Sequence, residues 1–362
     1  MSEIFHKANN TQPWLVVGQG LAGTVLALSL VQQGQRVVVV DAALPYASSR
    51  AAAGIYNPVT GKRRQLTWAA AELWPALEAF YPWAQHLLGA SFFYPLPNIR
   101  PFFTALERAE AQAQAADSAH PLSAWIKVLD APLWQPAAQV HAPYGVLVVP
   151  RSGYVDVMAF CHAARAWLVN SGCFIEALPQ PADIDAKSGQ PHWQGYRYQG
   201  VIWATGAFPL ADAGWQALPL APLKGEILHV SSCEPALLAG GVLNRAAYLA
   251  PRADGTLWAG STYEHRYSDN GPTEAARVSI LERVSLFYKP ELQVLNHWAG
   301  IRPSVKDRRP LLGALGGRQG QYVFTGMGTK GVSLAPWCAG HMCRYLLGGI
   351  PLPAEVAVRA IA

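Results

Sequence analysis

An α/β fold that carries an inserted, mostly antiparallel sheet domain is the class this sequence predicts, on three observations. Residues 14 to 41 read as strand, glycine turn, helix, turn and strand, which sets two parallel strands side by side. Further α/β segments follow at 145–222 and 298–362, and the stretches between them read mostly as strands. No motif repeats at a fixed period, which excludes a solenoid. The simplest arrangement builds one domain from residues 1–82, 145–222 and 298–362. Residues 83–144 and 223–297 then form a second, sheet-based domain, with a site where the two meet.

Trp14 to Val17 is a short apolar strand, Leu21 to Gln33 has helical length and spacing, Gln33-Gly34-Gln35 closes it, and Arg36 to Val40 is a second buried strand. A loop of small residues runs from Ser48 to Gly54. Residues from about Thr67 to Phe80 read as a helix with Leu73, Leu77 and Phe80 on one face. Phe92 to Phe103 is aromatic, proline-broken strand, Thr104 to Ala116 a surface helix, and Tyr144 to Val149 strand again. Val157, Cys161, Ala164 and Leu168 make one helical face, followed by strands at Cys173 to Glu176 and Gly200 to Gly206. Residues 223–298 read as β around one helix, Glu274 to Phe287. The chain closes with strand Val323 to Thr325, a glycine turn and a helix from about Val332 to Leu347.

Composition narrows the function classes. Hydrophobic residues make up 51% and charged residues 14%, against an ordinary charged share of about 25%, so the chain has much apolar material to bury and is not disordered. The net charge of +5 is mild. Its densest clusters, Lys62-Arg63-Arg64 and Arg302 to Arg309, suit a solvated face or a single phosphate or carboxylate, and argue against general nucleic-acid binding. Five cysteines without a C-x-x-C pair and ten histidines without ligand spacing give no disulfide framework and no metal site, and fit thiols in a reducing cytoplasm. Trp14 to Val31 has the length of a membrane anchor, but Gln19 and three glycines interrupt it, so no membrane span is expected. Gly54 to Lys62 lacks P-loop spacing, there is no G-x-S-x-G elbow, and nothing specifies an oligomeric state.

Gly18-x-Gly20-x-x-Gly23 follows a strand and opens a helix. Gly18 permits the tight turn, Gly20 lets backbone approach a pyrophosphate, and Gly23 allows close helix packing, while the N–H groups of Leu21, Ala22 and Gly23 face the anion. Asp41, 18 positions past Gly23, stands where a ribose hydroxyl is bound. The motif gives a dinucleotide and leaves FAD and NAD open. Its alternative is a purely structural glycine turn.

Five stretches together resemble the flavin-dependent D-amino-acid oxidase superfamily, particularly glycine oxidase, sarcosine oxidase and the oxidase half of the enzyme that modifies tRNA wobble uridine. They are this fingerprint; Ser49-Arg50-Ala51-Ala52-Ala53-Gly54; Ser152 to Asp156; the strand ending Ala204-Thr205-Gly206; and Trp298 to Arg302 through Thr325-Gly326 to Pro336. The resemblance spans nearly the whole chain. It implies a Rossmann-type FAD-binding domain with an inserted, mostly antiparallel-sheet substrate domain. It also implies that Ser49 to Gly54 wraps the flavin, and that Thr205, Gly206, Gly326, Gly328, Thr329, Lys330 and Gly331 lie against the cofactor, the last helix pointing at the flavin pyrimidine edge. No cysteine lies between Ser304 and Asp307, where sarcosine oxidases attach flavin, so FAD is expected to be non-covalent.

By the same resemblance Arg302 pairs with a substrate carboxylate beside the flavin, a task suited to a planar fork. Tyr248 and Tyr263 match pocket residues, with ordinary strand aromatics as the alternative. Lys224-Gly225-Glu226 matches a strand crossing into the substrate domain, with a structural role. The expected activity is FAD-dependent oxidation of the C–N bond of a small amine or amino acid. Hydride passes to flavin N5, the imine hydrolyses, and O2 or another acceptor reoxidises the flavin. Met327 to Gly331 and Gly54 to Pro58 look closer to the tRNA-modifying oxidase, which makes removal of a carboxymethyl group from a tRNA wobble uridine the first alternative. A non-catalytic FAD-binding or electron-transfer subunit is the second.

Overall fold

The computed structural model describes residues 12–61, 63–130, 139–186, 189–233 and 240–358. Lys62 of the first basic cluster therefore lies outside the described residues, as do the extreme ends of the domain division at 1 and 362.

A six-stranded sheet runs in the order Phe174–Ile175, Val37–Val40, Trp14–Val17, Val201–Trp203, Gln321–Thr325, Leu311–Ala314. The first five strands are parallel and the last antiparallel. Helices Leu21–Gln32, Ala70–Leu88, Val157–Asn170 and Gly331–Gly348 cover one face around Val16, Val39, Ile202 and Phe324. The other face packs Leu15, Val17, Val201 and Trp203 against Trp193, Leu210 and Trp215. Burial on both sides is why these strands read as continuous apolar runs.

The helix expected to end at Phe80 continues to Leu88 through Pro75 and Pro82. Each proline removes a helix hydrogen bond. Burial of Trp74, Leu77, Tyr81 and Ala84 on one stripe outweighs that loss.

The second sheet has eight strands, in the order Leu292–Arg302, Leu223–Ser232, Leu257–Gly260, Tyr248–Pro251, Val242–Asn244, Asn98–Pro101, Val146–Val149, Lys127–Leu129. All neighbours are antiparallel except Val242–Asn244 against Asn98–Pro101. This sheet takes in Val146–Val149 and all of Leu292–Arg302, so it reaches into the segments 145–222 and 298–362. An apolar strand carries no mark of which sheet it joins.

Residues paired across strands point to the same side. One face of the large sheet therefore carries Asn98, Val242, Tyr248, Ala250, Trp258, Gly260, Gly225, Ile227, Gly300 and Arg302. It packs through Ile227, Val242, Ala250 and Trp258 on Ala51 and Ala53 and is called here the crevice face. The opposite face carries Lys224, Glu226, Leu228, Leu243, Leu249 and His297 and is covered by helix Glu274–Ser285 through Ile280 and Val284. No helix among the described residues is long and apolar enough to cross a membrane.

Candidate active site

The glycine fingerprint folds as its spacing requires. Gly18 sits at φ +103°, and a Cβ there would lie 2.5 Å from the Ala204 carbonyl oxygen; one on Gly23 would lie 1.9 Å from the Gly18 oxygen. The turn is thus clamped between helix Leu21–Gln32 and the end of strand Val201–Trp203. Ser49 Oγ accepts from the Leu21 N–H at 2.9 Å, and the N–H groups of Ala22 and Gly23 are bonded to no acceptor among the described residues. Asp41 accepts from the Gln19 and Ala43 N–H groups at 2.8 Å each. It also accepts from Arg165 Nη2 at 2.6 Å, while Arg165 Nε donates to Gln19 Oε1 at 2.7 Å. Arg165 orients the acid; it lies beside the apolar stripe of helix Val157–Asn170 and sequence reasoning missed it.

The small-residue loop crosses the crevice face. A Cβ on Gly300 would lie 3.0 Å from both Ala51 Cβ and Ser48 Cα, and Gly54 turns at φ +66° against the Val155 carbonyl. Ala51 and Ala53 are buried on that face, whereas the Arg50 side chain is exposed. The loop lies between the first helix and the large sheet, the place for a thin planar ligand.

The C-terminal glycines close the crevice. Gly326 and Gly328 have φ of +77° and +54°, the Gly328 N–H donates to Pro303 O at 3.0 Å, and Gly331 approaches the Leu21 side chain. Two helix N-termini, at Leu21 and Gly331, therefore converge, both favourable to negative charge. Thr329 is exposed, and the Lys330 ammonium donates to Thr67 and Thr60 hydroxyls at 3.2 and 3.4 Å. Burial holds the Lys330 ammonium below its ordinary pKa, helped by Arg308 and Arg309 nearby. Gly206 turns at φ +67° and its carbonyl accepts from Thr325 Oγ1. The buried Thr205 Oγ1 has no partner among the described residues.

Arg302, Tyr248 and Tyr263 come together. The Arg302 guanidinium folds back over Gly225, where a Cβ would lie 2.0 Å from Cζ. Its Nη1 donates to Thr262 O at 3.0 Å, and its Cζ lies 4.9 Å from the Tyr263 ring centre. Lys224 pairs with Glu264, and Glu226 bonds Thr262, so Tyr263 stands opposite Gly225 as an added rung of the ladder. Tyr263 is 60% exposed and walls the open side. Tyr248 bonds Ser261; burial chiefly, and Tyr263 next, raise its phenol well above the usual value, so it stays a donor. Arg283 donates through Nη1 to the carbonyls of Ser261 and Ala246 at 3.1 and 3.3 Å. Sequence reasoning missed Arg283 and gave Gly225 only a structural part. Gly225 had one visible signal, a glycine inside an otherwise regular strand.

The residues present fit FAD. Ala22, Gly23 and Thr205 keep free donors on the dinucleotide side, and the wrapping loop contributes only small side chains next to the crevice face. Among the described residues no cluster of metal ligands occurs.

Residues 14–345 match the family described as DAO, FAD dependent oxidoreductase. Glycine oxidase of Pseudomonas putida is 28% identical over 93% of this chain and 95% of its own length. The tRNA 5-methylaminomethyl-2-thiouridine biosynthesis bifunctional protein of Thiobacillus denitrificans is 29% identical over 96% of this chain, which spans 58% of that protein. The crystal structure of glycine oxidase from Geobacillus kaustophilus superposes with a TM-score of 0.76 over 98% of this chain and all of its own, at 20% identity. Iminodiacetate oxidase from Chelativorans sp. BNC1 gives 0.75 over 96% of this chain and all of its own, at 18% identity.

Proposed function

The chain belongs to the family of FAD-dependent oxidoreductases, and we propose that it oxidises the C–N bond of a small amine bearing a carboxylate. Arg302 carries this reading: a guanidinium on the crevice face, with one donor spent on Thr262 and the rest of its fork open to a carboxylate. Bound FAD supplies the two-electron acceptor. Arg302 then fixes the carboxylate, Tyr248 donates a hydrogen bond from its hydroxyl to the same group, and Tyr263 shields one side. Among the described residues no acid shares the crevice face beside Arg302, so the site favours the neutral amine and needs no dedicated base. In this reading residues 1–82, 145–222 and 298–362 hold the cofactor, with Arg302 reaching from the last of them to the substrate, and 83–144 and 223–297 form the rest of the substrate domain. The reaction runs in the cytoplasm, where five free cysteines remain reduced.

A second reading, removal of a carboxymethyl group from a modified tRNA wobble uridine, has one observation in its favour. Lys330 bonds Thr60, three positions before the exposed Arg63, and lies in the field of Arg308 and Arg309, so Arg63 and the second basic stretch come near one another, while Arg64 is buried and pairs with Glu110. Anaerobic bleaching of the flavin decides among the readings, using N-methyl, D- and cyclic amino acids beside undermodified tRNA. The first reading expects bleaching by a carboxylated amine and loss of it with the amine's methyl ester. The tRNA reading expects bleaching by tRNA alone, weakening as salt rises. Bleaching by none of them identifies an electron-transfer subunit.

A further inference from the structure

The substrate pocket carries more positive charge than one carboxylate matches. Three acids gather around Lys224, whose side chain lies on the opposite side of the sheet from Arg302. Glu226 is fully buried, 2.8 Å from the Thr273 N–H, 2.9 Å from His297 Nε2 and 3.2 Å from Lys224 Nζ. Asp269 lies 3.7 Å from the same ammonium, and Glu264 shares its side through the Lys224 pairing.

Arg283 is not compensated in this way. It reaches from helix Glu274–Ser285 around the strand ends to Ser261 and Ala246. Its Nη2 is buried and has no acceptor among the described residues. The ionisable groups acting on it are the phenols of Tyr263 and Tyr248, the residues that flank Arg302, and among the described residues no carboxylate forms an ion pair with it. Tyr248 is acted on by Arg302 and Arg283 together. Arg283 and Arg302 donate through Nη1 to the carbonyls of adjacent residues, Ser261 and Thr262, so two guanidiniums stand at one strand end, and the one buried Nη2 left without an acceptor gains from an anion that meets it.

We propose that Arg283 is a specificity-determining residue that makes this pocket select amines carrying two acidic groups, one held by Arg302 and the second stabilised by the Arg283 charge. The inference rests on the amine-oxidase reading of the site. It identifies the substrate class as N-carboxyalkyl amino acids or amino dicarboxylates.

The test compares the FAD-loaded enzyme on two matched pairs, iminodiacetate with sarcosine and D-aspartate with D-alanine. The dicarboxylic member is expected to have a kcat/KM higher by about tenfold. Arg283→Met should remove that preference, lowering kcat/KM about tenfold more for the dicarboxylic member than for the monocarboxylic one, and Arg283→Lys should keep most of it. Equal losses on both members, or no preference in the parent enzyme, overturn the proposal. Should Arg283→Met fail to fold, inhibition of the parent enzyme decides instead. Malonate binding about tenfold more tightly than acetate supports the proposal, and equal binding overturns it. Arg302→Met separates the two claims: if it abolishes turnover of every carboxylated amine while Arg283→Met changes nothing, the site reading stands and this inference falls.

Discussion

On the helix face of the large sheet, the Glu226 carboxylate receives Thr273 N–H and hydroxyl bonds, with Lys224 and His297 within 3.2 Å. On the crevice face, Arg302 has spent one donor on Thr262, Asn98 is 2% exposed with an unpartnered Nδ2, and Tyr248 keeps a phenolic proton. The strand Leu223–Ser232 contributes to both, Lys224 and Glu226 on one side and Gly225 on the other. Buried polar groups are ordinarily paired, and an unpaired one costs about 1–3 kcal/mol. Saturation of the Glu226 carboxylate on one side and spare donors on the other therefore separate a structural network from a ligand surface.

The sharpest break of this comparison is on the helix face. Glu226→Leu leaves the Lys224 ammonium, which is 1% exposed, with Asp269 at 3.7 Å as its remaining acid, and should lower unfolding free energy by about 3 kcal/mol in urea. The double change Lys224→Met with Glu226→Leu should cost much less. Equal losses would mean that the pair is not a mutually compensated charge.

One strand position later the effect should move from stability to activity. Gly225 has an ordinary backbone conformation, so Gly225→Ala strains nothing locally and only displaces the Arg302 guanidinium. We expect kcat/KM for a carboxylated amine to fall about 100-fold, with the urea midpoint nearly unchanged. A stability loss without a kinetic one would place Gly225 on the structural side of the comparison.

Tyr248→Phe removes a single neutral donor, and KM should rise by about tenfold. An unchanged KM would make Tyr248 packing alone. The smallest effect is on acid stability. Burial lowers the proton affinity of His229, His297 and His341. The unfolded chain then binds protons more readily, so their contribution is full above the ordinary histidine value of about 6.5 and is lost below it. Tm should fall by about 2 °C between pH 7.5 and 5.5, and His297→Gln should reduce that fall. A Tm that rises on acidification would contradict the sign.

These contrasts also show what was legible in the sequence. The dinucleotide unit was, because glycines at positions 18, 20 and 23, two apolar strands and Asp41 are local and each has one physical reason. Arg302, Tyr248 and Tyr263 were named through family resemblance, and register alone brings them to one face. Arg165 and Arg283 were not legible, since each projects from a helix to a loop or strand end far along the chain. Gly225 looked structural because its purpose depends on a side chain 77 positions later. The allocation of Val146–Val149 to the large sheet was hidden for a similar reason: pairing partners are set by tertiary contact.

The central claim, that Arg302 binds the carboxylate of an amine whose C–N bond is oxidised, is tested most directly by anaerobic flavin reduction in the parent enzyme and in Arg302→Met. A carboxylated amine and its methyl ester are compared in each. The account predicts that the parent reduces far faster with the free acid, and that the variant loses about 100-fold or more with the acid while changing little with the ester. Unchanged bleaching of Arg302→Met by the free acid would contradict it.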